Sequence, residues 1–121
     1  LTVERAFQPG AQLMARALSP EIQAQLVRIV QEALSNVRKH ARPRRVWAGL
    51  HEWQGELVLE IGDDGQGFEA QDVPEIARYG LRGMRERAEL IGADFQIISQ
   101  AGQGTIVRLV LPASMEEGAP Q

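Results

Sequence analysis

Cysteine is absent from the 121-residue chain. That excludes a disulfide framework, thiolate catalysis and cysteine-ligated zinc or iron–sulfur centres, and it fits a reducing compartment. Histidine is almost absent: His40 and His51 are the only two, too few for a histidine-rich metal site. No apolar run approaches the ~20 residues that a membrane span needs. The opening residues, Leu1-Thr2-Val3-Glu4-Arg5, carry no signal-peptide pattern and no initiator methionine, so the chain is expected to be a piece of something longer. What is present suffices for one core: 44% of the residues are hydrophobic and 24% charged, which at this length implies a single domain over residues 1–121.

The net charge of −3 hides an asymmetry. Between Arg28 and Arg45 six basic residues face one acid, Glu32, for a local charge of +5; the rest of the chain carries −8. A basic island in an acidic body suggests an anion site or a docking surface. It argues against general nucleic-acid binding, where the whole domain is usually basic. The stretch Arg38 to Arg45 also has no stacking aromatic nearby except Trp47.

Thr2 to Phe7 alternates loosely, as a strand does, and Gln8-Pro9-Gly10 interrupts it. Residues 11–18 suit a short helix or a loop equally; residues 1–18 are expected to be an N-terminal strand and connector. Ser19-Pro20-Glu21 opens the clearest helix: serine caps, proline suits the first turn and the acid suits the dipole. Ile22, Leu26, Ile29, Ala33 and Val37 then form one apolar stripe to about His40, where Arg42-Pro43 ends the helix. A second stripe is polar: Gln25, Arg28, Glu32, Asn36 and Lys39. A solvated face would explain most of it, but asparagine is a poor residue for an exposed helix interior.

Val46–Trp53 and Leu57–Asp63 read as strands joined by the turn Gln54-Gly55. By the period of two, Leu57, Leu59, Ile61 and Asp63 share a face. Asp63 thus continues an apolar row, where a carboxylate needs a donor or its burial is costly. Residues 69–79 are polar and read as a short mobile segment. Gly80 and Gly83 precede a helix carrying Leu81, Met84, Ala88 and Ile91, with Gly92 as its C-terminal cap. Phe95–Ser99 and Thr105–Leu111 are strands joined by Ala101-Gly102-Gln103-Gly104, and the tail 113–121 is expected to be frayed and flexible. This order predicts an α+β two-layer sandwich, with a mixed, mostly antiparallel sheet and helices on one face.

Eight of the twelve glycines fall between Gly62 and Gly104. They mark three loops: Asp63-Asp64-Gly65-Gln66-Gly67, Gly80-Leu81-Arg82-Gly83 and Gly102-Gln103-Gly104-Thr105. Glycine lets a ligand approach the backbone, and N–H groups at a helix start attract anions. The chain has neither a P-loop nor a Rossmann fingerprint.

In combination these segments resemble the ATP-binding domain of the GHKL superfamily, which holds histidine kinases, type II topoisomerases, a heat-shock chaperone and mismatch-repair ATPases. Arg28 to Ala41 is similar to the N box of sensor histidine kinases, and Tyr79 to Ala88 to the nitrate-sensor-like subfamily with its short ATP lid. The resemblance covers roughly residues 20–112 and implies a Bergerat-type fold binding ATP and Mg²⁺. It implies that Asn36 ligates Mg²⁺, that Glu32 assists transfer or orients a metal-bound water, and that Lys39 contacts phosphate with His40 beside it. Asp63 matches the acid that accepts the adenine amino proton. Gly65 and Gly67 match the adenine and lid approach, and the Gly80-Leu81-x-Gly83-Met84 segment the phosphate contacts. Gly102, Gly104 and Thr105 match the closing of the base pocket.

One part of the family pattern is missing. Histidine kinases phosphorylate a histidine on a separate dimerisation domain, and neither His40 nor His51 matches that acceptor. The expectation is therefore a catalytic ATP-binding fragment that does not phosphorylate itself. Its partners would be ATP, the histidine-bearing dimerisation domain and a downstream response regulator, with no nucleic acid and no direct membrane contact. Its location would be cytoplasmic, an inner-membrane anchor in the parent being left open. A GHKL serine kinase of the anti-sigma type, a stand-alone ATPase and a non-catalytic module with a degenerate site are the alternatives.

Overall fold

The computed structural model describes residues 2–69 and 75–112. The expected tail at 113–121 and residues 70–74 of the expected mobile segment therefore lie outside the described residues. The elements run β1 (Thr2–Phe7), α1 (Pro9–Arg16), α2 (Pro20–Asn36), a π-helical turn (Val37–Ala41), β2 (Arg45–Trp53), β3 (Glu56–Asp63), α3 (Glu75–Leu90), β4 (Asp94–Gln100) and β5 (Gly104–Leu111).

The sheet has the order β1-β2-β3-β5-β4. β1 runs parallel to β2, and every other pairing is antiparallel. This is the expected α+β two-layer architecture, a mixed and mostly antiparallel sheet. Of residues 11–18, which suit helix or loop equally in the sequence, those up to Arg16 belong to the helix Pro9–Arg16. Pro9 does not merely interrupt β1 but begins α1, where its missing N–H costs nothing. α1 belongs to the core, since Ala11 and Leu18 are fully buried beside Leu57 and Leu111.

α2 starts where its capping signal places it: the Ser19 hydroxyl accepts the Ile22 N–H at 3.3 Å. Its α-helical hydrogen bonding ends at Asn36 rather than near His40. From there the chain widens into the π-helical turn and leaves through Arg42, at φ 47°. Ile29 and Ala33 of the apolar stripe are buried in the main core with Ile61, Met84, Ala88, Phe95, Val107 and Leu109. The sheet face toward the helices is the row Leu57, Leu59, Ile61, Asp63 with its partners Leu111, Leu109, Val107 and Thr105 on β5.

The second helix starts earlier than the glycines suggest. α3 spans Glu75–Leu90, so Gly80 and Gly83 lie inside it rather than before it. The reason is the apolar stripe: Met84 and Ala88 are completely buried, and anchoring them leaves enough packing to carry the helix through two weak residues. The expected mobile segment 69–79 is thus divided: residues 70–74 lie outside the described residues, and Glu75 onward is helical.

Candidate functional site

A cavity of about 100 Å³ opens between α2, the end of β3 and β5. Its walls are mainly apolar: Ala33 and Val37 from the α2 side, Ile61 and Val107 from the sheet, Leu81 from α3, and Phe68 from the loop after β3. Among the described lining residues Asp63 is the only charged one. Its side chain is 4% exposed, the one buried ionisable group among the described residues.

β3 and β5 dictate this placement. Asp63 follows Ile61 on the buried face and pairs across the strands with Thr105. Its Oδ1 accepts the Gly65 N–H at 2.8 Å. Burial pushes the Asp63 carboxyl above the ordinary aspartate range; the N–H groups of Gly65 and Thr105 oppose that shift, and neighbouring Asp64 adds to it. A carboxylate left in such a place gains from any ligand that brings a donor.

Asp64 behaves in the opposite way. It is exposed, and its Oδ1 accepts the N–H groups of Arg44 and Arg45, both at 2.8 Å. The Arg45 N–H, followed by that of Arg44, holds its carboxyl below the ordinary range. Asp64 therefore clamps the connector after the π-helical turn onto the end of β3. The Gln66 N–H, donating to the Ala41 carbonyl at 2.7 Å, makes a second tie. Sequence reasoning missed this role, because a clamp across twenty positions leaves no local signal.

Two glycines are required by this close fit. A Cβ on Gly65 would fall onto the Ala41 carbonyl. Gly104 sits at φ 86°, with the Asp63 carbonyl where a Cβ would be. Gly67 and Thr105 line the cavity. Gly102 lies at the β4–β5 turn and donates to the Gln66 carbonyl, with open space around it.

The polar stripe of α2 is only in part a solvated face: Arg28 and Lys39 are exposed, while the stripe residues between them are not. Glu32 and Asn36 are half-buried against α3. A Cβ on Gly80 would lie 3.2 Å from Asn36 Oδ1 and closer still to Glu32 Oε1, so both oxygens converge on that point. Asn36 also lines the cavity, and Gln25 accepts from Arg87 of α3 at 3.2 Å. Lys39 is exposed on the π-helical turn, while the His40 side chain lies outside those described.

From α3, Leu81 reaches the cavity. Gly80 and Gly83 have helical surroundings rather than a free helix start, and Met84 is a fully buried core side chain away from the cavity. Met84, Gly80 and Gly83 instead border a neighbouring depression together with Glu32, Arg28, Tyr79 and Arg87.

Comparison with known proteins defines the class. Residues 21–115 match the family described as histidine kinase-, DNA gyrase B-, and HSP90-like ATPase. The chain belongs to this family and is one of its ATP-binding domains. Individual relatives include sensor histidine kinases. Sensor histidine kinase LiaS of Bacillus subtilis is 40% identical over 101 residues, which is 84% of this chain and 28% of LiaS. Oxygen sensor histidine kinase NreB of Staphylococcus carnosus is 40% identical over 98 residues, 81% of this chain and 28% of NreB. The chain thus spans under a third of the length of these relatives. The blue-light activated histidine kinase of Erythrobacter litoralis EL346 superposes with a TM-score of 0.74 at 24% identity, over 93% of this chain and 35% of that one. Full-length ShkA in complex with AMPPNP gives 0.73 at 18%, over 98% and 27%. Both share the fold. Among the described residues no helix is long and apolar enough to cross a membrane.

Proposed function

We propose that this chain is the catalytic domain of a two-component sensor histidine kinase and that its cavity receives the base of ATP. The single observation that carries the base assignment is Asp63: an ionisable side chain 4% exposed, in an apolar slot with no cation among the described residues that line it. An amino-purine supplies a further donor beside the backbone N–H groups and is flat and apolar on its faces. The triphosphate would then run along α2 toward Asn36, beside the basic island that includes Lys39.

Mg²⁺ fits the residues available there. Among the described residues no three His, Cys, Asp or Glu side chains form a cage. Mg²⁺ needs none, because it keeps several waters and takes phosphate oxygens as ligands. The Asn36 Oδ1 would offer a neutral oxygen, and the Glu32 carboxylate, one turn earlier, would accept from a metal-bound water. When bound, the ion neutralises charge on the phosphates. The protein's own part is positioning: Asp63 and Thr105 hold the base, Leu81 and Phe68 exclude water, and Asn36 fixes the phosphate end. The γ-phosphoryl group would pass to a histidine on a separate dimerisation domain and then to a response regulator. The sensor kinases among the relatives support this reading over a serine kinase or stand-alone ATPase.

Calorimetric titration with ATP, with and without Mg²⁺, tests the metal assignment. Asn36→Ala should abolish most of the gain that Mg²⁺ gives to ATP affinity while leaving metal-free binding near the wild-type value. An unchanged Mg²⁺ dependence would remove Asn36 from the metal site. Labelled ATP with an added histidine-bearing dimerisation domain tests the transfer: label must appear on histidine, and label on serine would overturn the kinase class.

A further inference from the structure

Resting on the reading of the cavity as an ATP site, we propose that Ser99 is a positioning residue that sets base selectivity by fixing the direction of the Thr105 hydroxyl. Asp63, Thr105 and Ser99 form one row across β3, β5 and β4 on the helix-facing side of the sheet. The Ser99 hydroxyl oxygen lies 2.9 Å from the Phe68 N–H, 3.0 Å from the Gly104 carbonyl and 2.8 Å from Thr105 Oγ1.

Counting protons decides the directions. The Phe68 N–H can only donate and the Gly104 carbonyl can only accept, so the single Ser99 proton goes to Gly104. The contact with Thr105 can then be made only by the Thr105 proton. Thr105 lines the cavity, and with its proton committed its oxygen presents lone pairs alone. The floor therefore offers two acceptors on adjacent strands, the Asp63 carboxylate and the Thr105 oxygen. An amino group at position 6 of a purine matches them. A 6-oxo purine would place a carbonyl against both. Ser99 touches no part of the nucleotide and acts through Thr105, while its bond to Phe68 ties the post-β3 loop to the hairpin.

The test compares Mg-ATP with Mg-ITP, which differ in the 6-amino against the 6-oxo group and in the N1 proton that accompanies the latter, by calorimetric titration of this chain. Ser99→Ala frees the Thr105 hydroxyl to rotate and donate, so the preference for ATP over ITP should fall about five- to tenfold. Ser99→Thr, which keeps a hydroxyl, should retain the wild-type ratio. Thr105→Val should lower the ratio in the same direction, and adding Ser99→Ala to it should change the ratio no further. Ser99→Thr and Thr105→Val give a reading even if Ser99→Ala folds poorly. An unmoved ratio in Ser99→Ala, or an equal loss for both nucleotides, overturns the role of Ser99 and leaves the ATP site standing. A wild-type chain that binds neither nucleotide overturns both.

Discussion

Replacing Asp63 by asparagine separates ligand binding from folding, because the two should move in opposite directions. The asparagine oxygen can still accept the Gly65 N–H, now at 2.8 Å from Asp63 Oδ1, so the loop keeps its tie. The charge is lost, and the amide N–H group turns a donor toward the position where a base amino group must donate. A hydrogen bond to a charged group contributes about 1.5–3 kcal/mol, so ATP affinity should fall about 10- to 150-fold. Folding responds the other way. Burial raises the Asp63 carboxyl above its ordinary range, so the folded chain binds that proton more tightly than the unfolded one. Stability from this group is fully present below the ordinary carboxylate range and is lost as pH rises through the raised value. At neutral pH the ionised side chain is therefore a burden that Asp63→Asn removes. Thermal denaturation should show the variant at least as stable as wild type at pH 7, with the wild type gaining on it as the solution is acidified. Titration calorimetry on the same samples should show weaker ATP binding. Undiminished affinity would refute the base assignment; lost affinity together with lost stability at pH 7 would refute the account of Asp63 as a buried, ligand-awaiting charge.

Gly104→Ala places a side chain at φ 86° and against the Asp63 carbonyl, with Asp64 Cα 2.9 Å away. The backbone conformation alone costs roughly 1–2 kcal/mol, and a thermal midpoint several degrees lower, with weaker ATP binding, is the expected outcome. Gly83→Ala tests whether α3 is helical through that position in the free chain: nothing lies within 4 Å of the added Cβ, so urea denaturation should show a gain of about 0.5–1 kcal/mol. Met84, completely buried, should behave as a core residue, with Met84→Ala costing roughly 2–5 kcal/mol in the same assay.

Much of this site is legible in the residues. Asp63 betrays itself through local periodicity, since a carboxylate ending the row Leu57, Leu59, Ile61 breaks an otherwise apolar pattern. The capping serine, the apolar stripe of α2 and the strand boundaries likewise rest on neighbours within a few positions. Asn36 on a polar stripe was a weaker signal, because a solvated face looks the same until α3 is seen to pack on it. The start of α3 was misplaced for a similar reason: Gly80 and Gly83 are poor helix residues, and only the burial of Met84 and Ala88 overrides them. Met84 is completely buried in the core beside Ile29 and Ala33, which its place in the apolar stripe of α3 already indicates.

The sequence by itself determined the later strands, the capped start of α2, the family and the acid that marks the cavity, because hydrophobic period, caps and glycine loops act over a few residues. Only the tertiary structure decided that Asp64 clamps a connector nineteen and twenty positions away, and that Glu32 and Asn36 are half-buried against Gly80 of α3. Those are contacts between segments distant along the chain. They come into being only when packing brings together groups that no local pattern relates.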